Sequence, residues 1–426
     1  MKKLDASRIY MIMGFMTSLA NATMFTTYAI YQVVALGFNP LQLLMVGVVL
    51  EVTVLLFEGV TGVMADTYSR RASVIVGMFV LGAGFVLEGS AMWLGDGGTA
   101  MSAFVWLLIA QVVFGIGFTF VSGADSAWMV DEVGEDRAGG VFLKAKRIGL
   151  IGTLLGIGLS VAISTVGYNL PYIAGGLMYL ALGAFLIVQM KETNFTRPEK
   201  PEGGSSHWRS MKTTWVMGAR TVRGNRILLM ILIVTLFSGA ASEGYDRLWQ
   251  AFVIGDIGFP AAIRFNMATW FGLIALASTL LSLAAVWAAE KRMNIAGEKF
   301  VRRSLVVLTA ARVLGIAGLA LSPDFAYALA AVLLIEVVTA LTGPLYDTWL
   351  NMNIESRSRA TVLSMLSQSD ALGQTGGGPF VGWIGSRLSV RASLLASAAL
   401  LVPILAVFAR ARGQQIAAPS GKQNTP

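Results

Sequence analysis

Long apolar stretches alternate with short polar segments along almost the whole chain. Each stretch has about twenty residues or more, the length that an α-helix needs to cross a hydrocarbon layer of about 30 Å. Residues 9–36 and 148–190 contain no Asp, Glu, Lys or Arg. The pattern predicts an all-α polytopic membrane protein with twelve transmembrane helices, near residues 9–32, 40–64, 72–94, 100–130, 141–166, 168–190, 226–253, 262–289, 301–321, 324–351, 360–384 and 389–409.

The composition agrees with a membrane protein and predicts its orientation. Hydrophobic residues make up 55% of the chain and charged residues 13%, about half the charged share of a soluble domain. The net charge of +8 does not indicate a nucleic-acid partner, because Lys and Arg are concentrated at alternate ends of the spans. The positive-inside rule therefore predicts a multi-pass protein in contact with the lipid bilayer, with both termini in the cytoplasm. We expect its location to be a bacterial inner membrane.

Several kinds of chemistry need residues that the chain lacks. It has no cysteine, and His207 is its one histidine, so disulfides, thiolate metal sites and histidine pairs are excluded. The sequence contains no phosphate-binding loop that ends in Gly-Lys-Ser or Gly-Lys-Thr, so ATP hydrolysis in this chain is not expected. No nucleophile, base and orienting group are grouped along the chain. We therefore expect a transporter of a small molecule, with no cofactor and no enzymatic activity.

The longest hydrophilic segment, residues 191–225, divides the spans into six plus six. We expect a six-helix bundle over 1–190, a cytoplasmic linker with an amphipathic helix over 191–225, a second six-helix bundle over 226–410 and a disordered cytoplasmic tail over 411–426. The fourth span ends in GADSAWMVDEV from Gly123, and the tenth ends in GPLYDTWLNMN from Gly343, which indicates an internal repeat. Related halves imply a binding site between them, near the bilayer midplane.

The loop between the second and third spans carries a recognisable motif. The sequence GVMADTYSRR at 62–71 resembles the inner-loop signature of the major facilitator superfamily, roughly G-x-L-A-D-R-x-G-R-[RK]. It departs from that pattern at Thr67, where a basic residue is usual, and at Ser69, where glycine is usual. With twelve spans in two halves, the chain is identified as a member of this superfamily from its first span to its twelfth.

The resemblance implies a gate that closes the cytoplasmic side. Gly62 would let two helices approach closely, and Asp66 would lie against the positive N-terminal end of the eleventh helix, near Ala360. Arg70 would pair with an acid at the inner end of the fourth helix, where Asp131 stands. The alternative is that Arg70 and its neighbour, Arg71, are only topogenic charges at the membrane face.

Proton coupling requires an acid that loses and regains a proton inside the cavity, and carboxylates within spans are functional candidates by default. The family fold implies that spans 1, 4, 7 and 10 line the cavity, which favours Glu336. Two local explanations remain open: Glu336 could pair with Arg312, and Glu243 could pair with Arg247 four residues along the helix. The proton-coupling candidates are Glu336, Glu243, Asp246, Glu51 and Asp370.

Glycine and aromatic patterns suggest the substrate and the direction of transport. The glycines of GLIGTLLGIG at 149–158 and GQTGGGPFVG at 373–382 resemble a motif of drug:proton antiporters, the branch that includes tetracycline and multidrug exporters, although close helix packing explains them equally. We expect proton-coupled efflux of amphipathic small molecules or drugs by a monomer; the alternative is a proton-coupled importer of a small metabolite. The candidate cavity residues are Tyr28, Tyr31, Phe114, Phe118, Tyr245, Trp249 and Tyr346.

Single cysteines introduced into this cysteine-free chain test the orientation. A cysteine at Gly97 should react with an impermeant thiol reagent added outside the cell, whereas one at Ser205 should not, because the two positions are predicted on opposite sides of the membrane. The measurement compares labelling of intact and permeabilised cells. The reverse labelling pattern would overturn the predicted orientation.

Overall fold

The computed structural model describes residues 4–95, 101–195, 226–293, 297–353 and 359–410. Within these ranges the chain is helical and has no strand. The predicted linker helix and the predicted tail lie outside the described residues. The helices are α1 (Ala6–Phe25), α2 (Pro40–Thr67), α3 (Arg70–Gly95), α4 (Ala103–Val121), α5 (Ala124–Val133), α6 (Glu135–Ser164), α7 (Leu170–Gln189), α8 (Arg226–Phe252), α9 (Met267–Met293), α10 (Glu298–Ala320), α11 (Phe325–Asn353), α12 (Arg359–Arg387) and α13 (Val390–Arg410).

Ten segments of the described chain are long and apolar enough to cross a membrane, and one of them joins α4 and α5 over Ala103–Val133. The remaining helices, α1 and α12, are richer in hydroxyl, amide and glycine residues, and they complete the twelve spans. The predicted all-α fold of two six-helix bundles is confirmed.

Successive spans run in opposite directions. We call the membrane side at which α1 begins and α2 ends the amino-terminal face, and the other side the opposite face. At the amino-terminal face, Arg71 at the start of α3 donates from Nε to the carbonyl of Met190, just after α7, at 2.7 Å. At the opposite face, Asn169 Nδ2 donates to the carbonyl of Gly89 at 2.9 Å. These contacts hold α3 and α7 together at both ends.

The two halves share a backbone feature but differ at the repeat motif. The first span of each half ends in a π-helical turn, Ile30–Ala35 after α1 and Val253–Ile257 after α8. The fourth span, predicted as one helix, breaks at Gly123, where φ is +75°. Glycine adopts this left-handed conformation without a steric penalty. The corresponding span of the second half, α11, continues as a helix through Pro344.

Glycines bring the same pairs of helices together in each half. On α6, a Cβ at Gly152 would lie 2.5 Å from the carbonyl oxygen of Phe15 on α1. On α12, a Cβ at Gly373 would overlap the carbonyl oxygen of Leu236 on α8. Small residues allow this backbone approach in membranes, where helix association depends on close packing. Helix packing therefore accounts for glycines of both patterns that resemble the antiporter motif.

Replacing one of these glycines should destabilise the first half. We expect Gly152→Ala to lower the free energy of unfolding by about 1–3 kcal/mol, because the new methyl group has no room beside the α1 backbone. Gly158→Ala on the same helix is the matched control, since nothing lies within 4 Å of a Cβ there. The measurement is thermal unfolding of both purified variants; equal midpoints would contradict the packing argument.

Candidate functional site

The described contacts between the halves are concentrated towards the opposite face. The Tyr28 hydroxyl donates to the carbonyl of Asp246 at 2.5 Å. The backbone N–H of Leu41, at the start of α2, donates to Ser386 Oγ on α12 at 3.1 Å. At the amino-terminal face the side chain of Asp66 is 67% exposed. The described contacts between the halves therefore lie at the opposite face. The spaces between the halves lie on the amino-terminal side of these contacts.

An ion pair of the second half packs closely against a glycine of the first half. Glu243 Oε2 lies 3.4 Å from Arg247 Nε, one turn along α8, so the pair suggested by the sequence spacing is present. A Cβ at Gly47 would overlap the Glu243 carboxylate and lie 2.9 Å from Arg247 Nη2. The absence of a side chain at position 47 lets the charged pair approach α2.

Two neighbouring spaces lie between the halves, and Phe25 lines both. Their volumes, about 490 and 350 Å³, are suited to a small molecule, since such sites span roughly 300–1,000 Å³. The first space is mainly aromatic and hydroxylic, and its lining includes Trp249, Gln250, Phe271, Ser278 and Glu336. The second is more strongly charged, and its lining includes Tyr28, Gln32, Glu88, Asp246 and Arg247.

Glu336 lines the first central space and is half-buried on α11. Its Oε1 accepts a hydrogen bond from the Tyr245 hydroxyl at 3.2 Å. Among the described residues no Lys or Arg nitrogen lies within 4.0 Å of its carboxylate, so the ion pair with Arg312 is not formed in this structure. The Tyr245 ring lies over Trp249, with centroids 6.5 Å apart. This stacking joins the Glu336 site to the aromatic wall.

Glu88 was not among the candidates, because it lies on the third span, which is not one of the four spans that the family fold implies line the cavity. Its side chain is buried and lines the second space. The carboxylate accepts from Gln111 Nε2 at 2.9 Å and from Gln32 Nε2 at 3.3 Å. In the sequence, the available signal was that Glu88, Gln111 and Gln32 are polar residues in otherwise apolar spans. The sequence does not specify the helix orientations that bring these three side chains together.

The other candidate acids lie apart from the two central spaces. Glu51 is half-buried on α2, one turn beyond Gly47. Asp370 accepts from Gln374 Nε2 at 2.8 Å and lines a separate cavity inside the second half, together with Tyr346. The sequence indicated these groups because they are charged residues within spans, but neither Glu51 nor Asp370 lines a central space.

The aromatic candidates fall into three environments. Tyr28 and Phe114 line the second central space and Trp249 the first, whereas Tyr245 is buried beside Glu336. Phe118 is 45% exposed and lines neither space. Contrary to the expectation, Tyr31 does not face the cavity: its side chain is fully buried, and its hydroxyl donates to the Glu88 carbonyl at 2.8 Å. The π-helical turn that contains Tyr31 directs the ring into the first half.

The predicted gate residues form contacts within the first half. Arg70 Nη1 lies 2.5 Å from Asp131 Oδ2, and Arg70 Nη2 lies 3.3 Å from Asp66 Oδ1. The pair with Asp131 is the one that the resemblance implied. Nothing lies within 4 Å of a Cβ at Gly62. The described contacts of Asp66 do not include the second half, so this structure has the gate motif in its unlatched arrangement.

Two acids that were not among the predicted gate residues connect the segment after α7 to this motif by hydrogen bonds. Glu192 accepts from Ser69 Oγ at 2.6 Å and from the backbone N–H of Arg71 at 3.0 Å. Glu132 accepts from the backbone N–H of Thr193 at 2.6 Å. The Arg71 guanidinium also binds carbonyls at the end of α7, which gives it a structural role beyond membrane orientation.

Comparison with known proteins agrees with this architecture. Residues 10–369 match the family described as the Major Facilitator Superfamily. A curated relative, the uncharacterized MFS-type transporter YxaM of Bacillus subtilis (strain 168), is 23% identical over 386 residues, which cover 89% of this chain and 90% of that protein.

Solved structures with low sequence identity share the fold. A point mutant of the nucleoside transporter NupG superposes with a TM-score of 0.76 at 13% identity, covering 95% of this chain and 99% of that one. The peptide transporter POT in complex with sulfate gives a TM-score of 0.68 at 14% identity, covering 96% and 94% of the respective chains. At these identities the likeness establishes the fold and not the substrate.

Enlarging Gly47 should loosen the contact between the halves. We expect Gly47→Val to reduce cross-linking between cysteines placed at Leu41 and Ser386, because the valine side chain displaces the Glu243–Arg247 pair and with it the second half. Gly318→Val is the matched control, since a Cβ at Gly318 meets nothing within 4 Å. Cross-linking yields that are equal in both variants would show that this contact does not depend on position 47.

Proposed function

Because the chain belongs to the Major Facilitator Superfamily, we propose that it is a proton-coupled secondary transporter that exports amphipathic small molecules by alternating access. Its relatives and structural neighbours are transporters and not enzymes. A single chain supplies both halves of the cavity, which supports function as a monomer. Its partners would be the transported molecule and protons.

The observation that carries this proposal is the cavity between two related halves, whose contacts among the described residues are concentrated on one side. With Tyr28 and Leu41 in contact with the second half and Asp66 exposed, the structure corresponds to one of the two states that alternating access requires. If the termini are cytoplasmic in a bacterial inner membrane, as the distribution of Lys and Arg suggests, this state faces the cytoplasm. Asp66 and Arg70 would then latch the cytoplasmic side in the other state.

The lining of the first central space supports an amphipathic substrate. Phe25, Trp249 and Phe271 supply aromatic surface there, and Gln250 and Glu336 supply polar groups. Pockets that combine an apolar wall with a few polar groups are suited to drug-sized molecules. Export follows from the resemblance to drug:proton antiporters, and not from the geometry.

A specific observation favours the second candidate, import of a small polar metabolite. The second central space presents Glu88, Gln111 and Gln32 in one hydrogen-bonded group, and a polar molecule would find more partners there than an apolar drug. The neighbours named for nucleoside and peptide transport add weight to this candidate.

Transport assays in opposite vesicle orientations separate the two candidates. An exporter should accumulate labelled amphipathic substrates in inside-out vesicles with an acidic lumen, and an uncoupler should abolish the uptake. An importer should instead accumulate nucleosides or short peptides in right-side-out vesicles that are acidic outside. Substrate accumulation that is insensitive to uncouplers in either orientation would contradict proton coupling.

Glu336 remains the preferred coupling acid, because it lines the central space and has no described cation within 4.0 Å. Its hydrogen bond to Tyr245 could break and form as the proton moves, which would link protonation to the position of the aromatic wall. Asp246 is the next candidate, because its side chain is exposed to the second space. Intramembrane carboxyl groups of this kind serve proton relays.

We predict that Glu336→Gln lowers gradient-driven accumulation about tenfold or more, the size of a typical coupling between two sites. Substrate binding and downhill exchange should persist, because glutamine keeps the shape and the hydrogen bond of the side chain. Glu290→Gln, at an exposed position of α9, is the matched control. Undiminished accumulation by Glu336→Gln would remove this residue from the mechanism and direct attention to Asp246.

A further inference from the structure

The second half contains a cavity of about 370 Å³ formed by α8, α10, α11, α12 and α13. It borders the first central space at Thr339, which lines both, but it contains none of the acids and aromatic residues that line the central spaces. Its polar lining includes Arg312, Thr309, Ser238 and Asp370, and its apolar lining includes Leu305, Leu401, Ile404 and Phe408. The cavity is therefore distinct from the two central spaces, and its lining is partly polar and partly apolar.

Arg312 forms no direct ion pair among the described residues. No carboxylate oxygen lies within 4.0 Å of its guanidinium, and its buried Nε has no hydrogen-bond acceptor. Asp370, in the same lining, and Glu336 accept hydrogen bonds from the neutral side chains of Gln374 and Tyr245 instead. A cation inside a membrane bundle is costly unless an anion is in direct contact with it, so the Arg312 guanidinium is left to take an anionic group from a bound molecule.

The apolar residues extend from this charge towards the amino-terminal face. Leu305 lies seven residues before Arg312 on α10, which corresponds to a rise of about 10 Å. Ile404 and Phe408 lie near the end of α13 at the same face. A bound molecule would thus meet a cation and the Thr309 hydroxyl at the deep end, and hydrocarbon side chains along the rest of its length.

We propose that this cavity binds an amphipathic organic anion, with its carboxylate on Arg312 and its apolar body along Leu305, Ile404 and Phe408. An arginine guanidinium presents planar donors that match a carboxylate. A bare inorganic anion would satisfy the charge but leave the apolar lining uncovered. The site does not depend on the direction or the energy source of transport, so binding tests it separately from the proposed function.

Trp349 offers a local optical reporter of this site. Its ring lies 5.9 Å from Tyr346 and 5.2 Å from Phe408, measured between centroids, and both of these residues line the cavity. The probe is 8-bromooctanoate, whose bromine quenches tryptophan fluorescence at short range. The protein is reconstituted in lipid nanodiscs. The signal from the site is the quenching of the natural chain minus the quenching of the Trp349→Phe variant. This subtraction removes the contribution of the other tryptophans.

We expect saturable quenching of Trp349 by 8-bromooctanoate and little by 8-bromooctanol or 8-bromooctyltrimethylammonium. Arg312→Gln should weaken binding about tenfold or more, as the loss of one partner of a buried charge pair does, while Arg312→Lys should restore part of it. Thr309→Val should weaken binding by about two- to fivefold, the worth of one hydrogen bond. Arg264→Gln, at an exposed position, is the control, because it removes the same positive charge from a residue outside the cavity.

The outcomes that would overturn the proposal are distinct. Equal binding to Arg312→Gln in folded protein, or equal quenching by the alcohol or the cation, would show that no anion is recognised. Displacement of the probe by equimolar chloride would reduce the site to one for a simple ion. If Arg312→Gln does not fold, Ser238→Phe obstructs the cavity with the arginine intact and adds no tryptophan, and undiminished probe binding by that variant overturns the proposal.

Discussion

Close backbone contact between helices is the constraint on which the rest of this structure depends. Hydrocarbon surrounds a membrane bundle, so burying apolar side chains between helices gains little, and association relies on tight packing. Gly152 brings α6 onto α1, and Gly373 brings α12 onto α8. The same contact in each half orients α1 and α8; Tyr28 follows the end of α1 and Asp246 lies on α8, and the two meet where the halves are in contact.

Charges inside the bundle are accommodated in different ways, and each way suggests a role. Glu243 and Arg247 neutralise each other beside Gly47, which suits a contact that forms and separates between halves. Glu88 is held by side-chain amides, so it can remain buried without a cation. Arg312 has no carboxylate within 4.0 Å among the described residues, and this unpaired guanidinium beside a partly apolar cavity is what points to a ligand.

The candidate site was predicted only in part, for reasons visible in individual residues. The pair of Arg70 with Asp131 followed from the motif, because a family signature carries a contact between fixed positions. Glu88 was not among the candidates, because the choice of cavity-lining spans by number does not show which way a side chain points. Glu192 was overlooked because its partners, at the start of α3, lie more than one hundred residues away in the chain.

Some properties of this protein follow from its sequence alone. The length and spacing of its apolar stretches required twelve crossing helices, because no backbone can cross a bilayer with unsatisfied polar groups. The motif at 62–71 indicated the family, and the six-plus-six division placed a cavity between the halves. The tertiary structure decided between the alternatives that the sequence left open. It retained the Glu243–Arg247 pair that helix spacing allowed and separated Glu336 from Arg312. Ion pairs between helices depend on helix rotation and depth, to within a few ångströms, and a linear pattern of apolar residues does not specify either.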